Sequence, residues 1–409
     1  MSNDKNLHIN RLFKELSIYN KDDLKNISKQ LNIKSTELEF YNNKMIFPSG
    51  KALDSILKFK NCSELELKLR LGIVDNELIE WISRNPEVIV NNYNLEDNCS
   101  ERDVKLQENF STKYGKLYKG DCLNIMKGMK DNSVDLIFAD PPFNLKKTYE
   151  SGINDYISEQ EYIEWTEKWI LECLRILSPG GSIFIYNLPY WNSYTSNILN
   201  KYANFRHWIS VSMKGLIPVA KKLQPEHYSL LYYIKGERPK VFNKQRIPVQ
   251  TCRHCGGEIR DYGGKKKSLD PCGLSISDIF MDINPVRHKK YKNRESNELP
   301  VKLLYRVISL ASNEGDTVFD PFGGSGTTYV VAEYLKRNWV GVEIGSLDDI
   351  VYRFNNKSID LKLLQNISKE SNVLFTDNQV KLRRKNGFWC YEKLDKKING
   401  TQKELLSNL

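Results

Sequence analysis

Near residue 113 the spacing of apolar positions along the chain changes character. Upstream, apolar residues recur every three or four positions in polar, Asn-rich surroundings, the spacing of short amphipathic helices. Within "LKNISKQLNIKSTELEFYNNKMIFPSGKALDSILKF" a helix should end near Leu31-Asn32, a second should begin at a Ser35/Thr36 cap, and a third should follow Pro48-Ser49-Gly50. This rhythm fits a helix-turn-helix and fits equally a small helical bundle that binds no DNA. We therefore expect a helical domain over 1–92 and a polar linker over 93–112.

Downstream, strands and helices alternate. "KLYKGD" reads as a short strand, "CLNIMKGM" as a helix and "VDLIFAD" as a nearly continuous apolar strand of the kind buried on both faces of a parallel sheet. "SEQEYIEWTEKWILECLRIL" predicts an amphipathic helix capped by Ser158 and closed by Pro179-Gly180-Gly181. "SIFIYN" is a further strand, and "HWISVSM" and "YSLLYYIKG" pair as a hairpin. The helix "NELPVKLLYRVISLAS" leads to strand "DTVFD", a Gly-rich turn, another helix and strand "WVGVE". The alternation predicts an α/β fold with a doubly wound, Rossmann-like sheet over 113–354, interrupted by a basic insert at 235–294. Residues 355–409 form a C-terminal extension to which no role is assigned.

Composition narrows the setting. No apolar run approaches the roughly 18 residues needed to cross a bilayer, and the start lacks the apolar block of a signal peptide. The chain is expected to be soluble and cytoplasmic, with no membrane partner. Its 8 cysteines, mostly single among 409 residues, make no disulfide framework. Lys and Arg (61) exceed Asp and Glu (51), giving a net charge of +10 that favours an anionic partner such as nucleic acid.

Two stretches carry the chemistry. "FADPPFN" (138–144) sets a carboxylate, two prolines and an aromatic ring where an apolar strand runs out. Alone, it reads as a turn. In "DTVFDPFGGSGTTYVVAEYLKRNWVGVEI" (316–344) a strand ends at Asp320, Gly323, Gly324 and Gly326 make a turn, Thr327-Thr328 open a helix, and Glu343 ends the next strand. This is the logic of nucleoside binding: glycines admit the ligand to the backbone, the helix start offers N–H donors and the acid grips ribose hydroxyls. The glycines precede no Lys-Ser/Thr pair, which argues against a phosphate-gripping loop, and their spacing departs from the dinucleotide pattern.

Together, "DPPF" first and "DPFGGSGTT" last resemble the beta group of amino DNA methyltransferases, which use S-adenosyl-L-methionine; the resemblance covers about residues 113–354. It implies a Rossmann-like methyltransferase sheet. Asp140 and the Pro141 carbonyl would accept the two protons of a flipped base's exocyclic amine, held rigid by Pro142, while Phe143 stacks on the ring. Two acceptors would draw the nitrogen toward sp³ so that its lone pair can attack the methyl in line. Asp320, Phe322, Gly323, Gly324, Ser325, Gly326, Thr327 and Thr328 would surround the cofactor's methionine portion. Glu343 would hold the ribose, and Asp121 with the Cys122 backbone the adenine edge. Ahead of the helix at 301 the family's usual run is replaced by "ESNELPVKLL", where only Pro300 matches, so no cofactor contact is assigned to Glu298 or Leu299.

The implied activity is site-specific methylation of adenine N6 in double-stranded DNA within a restriction–modification system, since the motif begins with Asp. Cytosine N4 is the alternative, and an RNA or protein amine stays open. A non-enzymatic helix-turn-helix regulator is the rival from another class, disfavoured by the intact Asp140 and glycines. A cognate restriction endonuclease and a homodimer are further partners to consider.

The insert lies where this family places target recognition. Lys265, Lys266, Lys267, Arg287, Lys289, Lys290 and Lys292, with Tyr262 and Tyr291 interleaved, are therefore the expected DNA-backbone contacts. "CRHCGG" is shaped like half of a zinc knuckle. Cys252 and Cys255 would need two more ligands from Cys272, His254 or His288, and no second C-x-x-C exists, so unmetallated cysteines in a loop are the favoured reading. Pro271-Cys272 has the form of a cytosine-C5 nucleophile, but the acid motif and the cofactor-first order of that chemistry are not found.

Overall fold

A computed structural model describes residues 7–74, 76–87, 106–145, 157–213, 220–221, 223–260, 263–284, 286, 298–356 and 358–390. Arg287, Lys289, Lys290, Lys292, His288, Tyr262 and Tyr291 lie outside the described residues. The chain divides into two units, Met1–Asp103 with Pro142–Lys168, and Val104–Pro141 with Trp169–Leu409.

In the first unit run helices α1 (Arg11–Glu15), α2 (Lys21–Leu31), α3 (Ser35–Lys44), α4 (Gly50–Lys60), α5 (Glu64–Leu71) and α6 (Asn76–Arg84). Leu12, Phe13, Leu24, Leu38, Ile56 and Leu67 form their core. The helix after Asn20 starts with a capping box, Asn20 and Asp23 exchanging bonds, and stops at left-handed Asn32. Ser35 is not the cap of α3: Lys34 holds that place and makes no side-chain cap bond. Buried Asn42 ties the start of the chain to α3, accepting from Phe13 N at 3.1 Å and donating to the His8 carbonyl at 2.9 Å.

The composition boundary at 92 does not close this unit. Arg11 N donates to Gln160 Oε1 at 2.9 Å and Asn10 Nδ2 to Glu159 Oε2 at 3.4 Å, both in the first turn of helix α8 (Glu159–Ile176). That turn carries the expected cap, since Ser158 Oγ accepts from Glu161 N at 3.2 Å and Glu161 returns the bond.

The second unit is built on a nine-stranded sheet of order β1-β2-β11-β10-β3-β4-β6-β5-β9. Its strands are β1 (Phe110–Ser111), β2 (Gly115–Lys119), β3 (Val134–Ala139), β4 (Leu177–Asn187), β5 (Asn204–Ser212), β6 (His227–Ile234), β9 (Ile279–Phe280), β10 (Thr317–Asp320) and β11 (Asn338–Glu343). From β2 to β4 neighbours run parallel, β4–β6 and β6–β5 are antiparallel, and the predicted hairpin is the last of these pairs. Strand β3 reads as an apolar run because Leu136, Ile137, Phe138 and Ala139 are all buried. Helices α7 (Cys122–Lys127) and α9 (Pro189–Leu199) also belong here.

Pro179-Gly180-Gly181 does not close α8, contrary to the sequence expectation. The helix passes at Ile176 directly into β4, and the three residues lie inside that strand, where its register with β3 shifts. Gly180 takes φ +76 and donates to the Lys235 carbonyl at 2.7 Å; a Cβ there would come 3.0 Å from Lys240 N.

The described part of the C-terminal extension, 355–356 and 358–390, is not an appendage. Helix α13 (Ser358–Glu370) packs on α10 (Val301–Ala311) and α11 (Thr327–Tyr334), and so belongs to the sheet unit. A buried guanidinium fixes it there. Arg353 of α12 (Asp348–Asn355), 1% exposed, donates through Nε and Nη2 to Asp360 at 2.7 and 2.9 Å. Its Nη1 reaches Thr327 Oγ1 at 2.7 Å, the Ser325 carbonyl at 3.1 Å and Glu298 at 3.1 Å. Three donor nitrogens reaching these five acceptors in a dry site make this tolerable, because an unpartnered buried charge is severely unfavourable. Among the described residues no helix is long and apolar enough to cross a membrane.

Removing the guanidinium leaves Asp360 and Glu298 buried without their counter-charge. Arg353→Leu should destabilise the protein by about 3–5 kcal/mol in chemical denaturation of the full chain. Arg353→Lys, which keeps the charge but loses the fork, should fall between it and wild type.

Candidate functional site

Four neighbouring parallel strands end along one edge of the sheet, and each delivers a carboxylate there. Strand register sets Phe319 beside Ile137, Asp320 beside Gly341 and Glu343 beside Lys119. Asp140 therefore follows β3, Asp320 ends β10, Glu343 ends β11 and Asp121 follows β2. From β3 the chain winds to β4, and from β10 to β11 on the other side. The edge between β3 and β10 is thus the point where winding reverses, the place open α/β sheets use for ligands.

Asp320 is buried, its Oδ1 accepting from Phe322 N at 2.9 Å and its Oδ2 from the Thr328 hydroxyl. Burial pushes its carboxyl up to about 8; the two hydrogen bonds oppose this, and Asp140 and Glu343 add to it as like charges. Glu343 staples two loops, its Oε2 accepting from Gly324 N at 2.7 Å and its Oε1 from Gly345 N at 2.8 Å. Each oxygen keeps a further lone pair for a hydroxyl.

Glycine is required at two points of the turn. Gly324 takes φ +54, and a Cβ on Gly323 would sit 2.7 Å from Tyr329 Oη and 3.0 Å from the Val342 carbonyl. The hydroxyls beside them face the protein. Ser325 and Thr327 bond each other at 3.1 Å and both accept from Arg353, while Thr328 is spent on Asp320. Their side chains shape the turn and leave its backbone for a ligand. Phe322 packs edge-on against Trp169, ring centroids 5.3 Å apart.

Asp140 has aromatic company that sequence reasoning missed. Ala139 pairs with Ile185, so Tyr186, still within β4, follows Ile185 as Asp140 follows Ala139. Burial holds the Tyr186 hydroxyl well above the usual phenol range, with Asp140 and then Tyr228 contributing; the Tyr186 and Tyr228 rings lie 5.0 Å apart. A clue existed in "SIFIYN", whose last residues end the strand adjoining the acid motif. The boundary between the two units falls between Pro141 and Pro142. In the helical unit the Pro142 carbonyl accepts from Tyr162 Oη at 2.7 Å, and Phe143 follows it.

Asp121 caps α7, accepting from Leu123 N at 3.0 Å and Asn124 N at 3.2 Å. Cys122 is buried; burial, with Asp121 beside it, pushes its thiol up to about 12, so only its backbone is available to a ligand.

Of the insert's expected DNA contacts, Lys265–Ser268 form one 3-10 turn in which Lys265 is exposed and Lys266 meets Glu258 at 3.5 Å. The Cys252–Cys255 segment closes as a turn, Gly256 N donating to the Cys252 carbonyl at 2.8 Å and Gly257 N to Cys255 Sγ at 3.4 Å. Hydrogen bonds from the Cys255 and His254 backbone hold the Cys252 thiol below its usual range. Among the described residues no three of His, Cys, Asp and Glu are grouped to hold a metal. The knuckle shape thus finds no further ligand there.

A family model described as "DNA methylase" (N6_N4_Mtase) matches residues 134–347, spanning both motifs. The Type II methyltransferase M.BamHI of Bacillus amyloliquefaciens is 46% identical over 391 residues, covering 94% of this chain and 92% of that protein. The DNA adenine methyltransferase YhdJ of Escherichia coli K12 is 32% identical over 231 residues, covering 56% and 77%. Among solved structures, the cytosine-N4-specific PvuII DNA methyltransferase aligns with a TM-score of 0.46 at 18% identity, over 65% of this chain and 95% of that one. On the family match and on identity sustained across nearly the whole of both chains, this protein belongs to the N6/N4 amino DNA methyltransferase family.

Proposed function

We propose that the protein transfers a methyl group from S-adenosyl-L-methionine to the exocyclic amine of a base flipped out of duplex DNA, with adenine N6 the target. The observation that carries this is that Asp140 follows the strand next to the one ending in Asp320 and the glycine turn, with Glu343 ending the strand beyond, at the reversal point of the sheet. An acceptor for an amine and a cradle for a nucleoside are adjacent. The donor set fits the cofactor's charge. Asp320 is held protonated to about pH 8 by burial and by Asp140 and Glu343, so a cation there would relieve three crowded acids. The cofactor, when bound, supplies an electrophilic methyl on a cationic sulfonium.

What remains is done by the chain. Glu343, already fixed by two backbone donors, has lone pairs left for ribose hydroxyls. Asp140 accepts a hydrogen bond from one amine N–H and the Pro141 carbonyl from the other, which localises the lone pair of a nitrogen otherwise delocalised into the ring. Tyr186, packed on Tyr228, lies beside Asp140 and walls one side of its carboxylate. A base inside a duplex is out of reach of these groups and has to be extruded.

Adenine is supported by the Asp-Pro-Pro-Phe motif and by the description of the relative YhdJ as an adenine methyltransferase. Cytosine N4 is the second reading, favoured by a family model whose designation spans both amines. The Type II name of the relative M.BamHI supports a role as the modification half of a restriction–modification system. In that role the enzyme would act in the cytoplasm, opposite an endonuclease that reads the same site.

Nucleoside mass spectrometry of duplex DNA incubated with enzyme and labelled cofactor should show N6-methyladenine. N4-methylcytosine instead would move the target while keeping the chemistry, and no methylated nucleoside would end the proposal. Asp140→Ala should lower transfer at least about 10²-fold, the scale of removing one aimed hydrogen-bonding group, while the cofactor Kd stays near wild type.

The Asp320 pKa lies at about 8 in the folded protein, above the ordinary carboxylate value. Its contribution to the stability of the ligand-free protein is therefore full below about pH 4, and is lost as pH rises to about 8. A cationic ligand prefers the ionised acid, so cofactor binding should tighten over the same rise. Calorimetry from pH 6 to 9 checks this, and Asp320→Asn should flatten the dependence and weaken binding.

A further inference from the structure

The basic run "KLRRK" (381–385) of helix α14 (Asp377–Lys385) has been given no role so far. The structure builds it into the insert. Short strands β7 (Arg246–Ile247) and β8 (Leu274–Ser275) pair antiparallel, and next to them Val249 N donates to the Leu374 carbonyl at 2.9 Å and Leu374 N to the Pro271 carbonyl at 2.8 Å. Gln379 Nε2 donates to the Val249 carbonyl at 2.8 Å. Val249, Leu374 and Phe375 are buried together, with Leu269, Leu274, Val380 and Trp389 around them.

One arginine of the run locks the two segments. Arg383, 0% exposed, donates to the Gly256 and Trp389 carbonyls and to Glu258 at 2.7 Å, and lies 4.4 Å from the Phe375 ring centroid. Its neighbours point the other way. Lys381, Arg384 and Lys385 are exposed and make no ion pair among the described residues. Just after them Asn386 Nδ2 donates to the Cys255 carbonyl at 3.1 Å, which sets the end of the helix against the Cys252–Cys255 turn. That turn carries exposed Arg253, and Arg260 follows, also exposed; neither has an ion pair among the described residues. Glu258, between Arg253 and Arg260 in the chain, is already engaged by Arg383 and Lys266.

We propose that the exposed cations of α14, Lys381, Arg384 and Lys385, with Arg253 of the adjoining turn, bind the phosphates of the duplex. On this reading the recognition module is made from two distant pieces of chain and not from the insert alone. The occupant follows from charge: several unpaired cations on a face fixed by a buried core suit a regularly spaced polyanion. The proposal rests on the DNA-methylation reading. For every phosphate that a substitution frees from its cation, the logarithmic slope of binding against salt should fall by about 0.9.

The test is DNA binding by the full-length protein, monitored by fluorescence anisotropy across a salt series. R384Q/K385Q should weaken binding to all duplex sequences and lower the slope by about 1.8 for two phosphates. Cofactor affinity and the thermal transition should stay as in wild type, because neither side chain supports a fold contact. K127Q/K130Q removes the same charge from exposed positions ahead of β3, and should leave the slope unchanged. A wild-type slope and affinity in R384Q/K385Q would overturn the proposal, as would an equal loss in K127Q/K130Q, which would mean a mere net-charge effect. Absence of DNA binding by the wild-type protein would instead defeat the methylation reading beneath it.

Discussion

Asp320 is the constraint on which the site turns. It lies in a dry interior, and burial, with Asp140 and Glu343 as like charges, raises its pKa to about 8, so this acid stays protonated at neutral pH. Such an arrangement is unfavourable in isolation and favourable toward a cation. The surrounding structure holds the acid in place. Phe322 N and the Thr328 hydroxyl satisfy the Asp320 oxygens, while the Arg353 guanidinium, which holds the turn through Ser325 and Thr327, is paired with Asp360 and Glu298.

This division of charges explains why the cofactor turn depends on residues far along the chain. Arg353 grips Ser325 and Thr327 from behind, and Asp360 holds Arg353. The hydroxyls of "GGSGTT" are thereby committed to the protein, which leaves the backbone of the turn and Glu343 to the proposed cofactor. Rigidity of this kind lets acceptors be aimed before any ligand arrives.

The parts legible in the sequence were those written in local pattern. Parallel strands buried on both faces gave apolar runs, and "VDLIFAD", "DTVFD" and "WVGVE" fall on β3, β10 and β11. Motif spacing put Asp140, Asp320 and Glu343 at strand ends. What escaped was written in long-range partnership. The Arg353–Asp360 pair joins two helices, and the Arg383–Gly256 bond spans from α14 to the insert, so neither leaves a period to read. Pro179-Gly180-Gly181 misled for another reason: the same residues that stop a helix also make a strand bulge, and only the pairing of β4 with β3 and β6 decides between them.

The chain passes from one unit to the other within the proposed catalytic motif, which limits how modular the sequence can be. Asp140 and Pro141 continue β3, whereas Pro142 and Phe143 belong with the N-terminal helices, where Tyr162 holds the Pro142 carbonyl. Tyr162 stands on α8, and the first turn of that helix is bonded to Asn10 and Arg11. The proposed stacking ring is thus supported from a part of the sequence that contains no catalytic motif. A helical region expected to serve only as a DNA-binding or bundle module therefore also steadies the segment that carries Phe143. Its removal would unsettle Phe143 before it touched Asp140, so an effect on how the base is held need not mean that the helices themselves grip DNA.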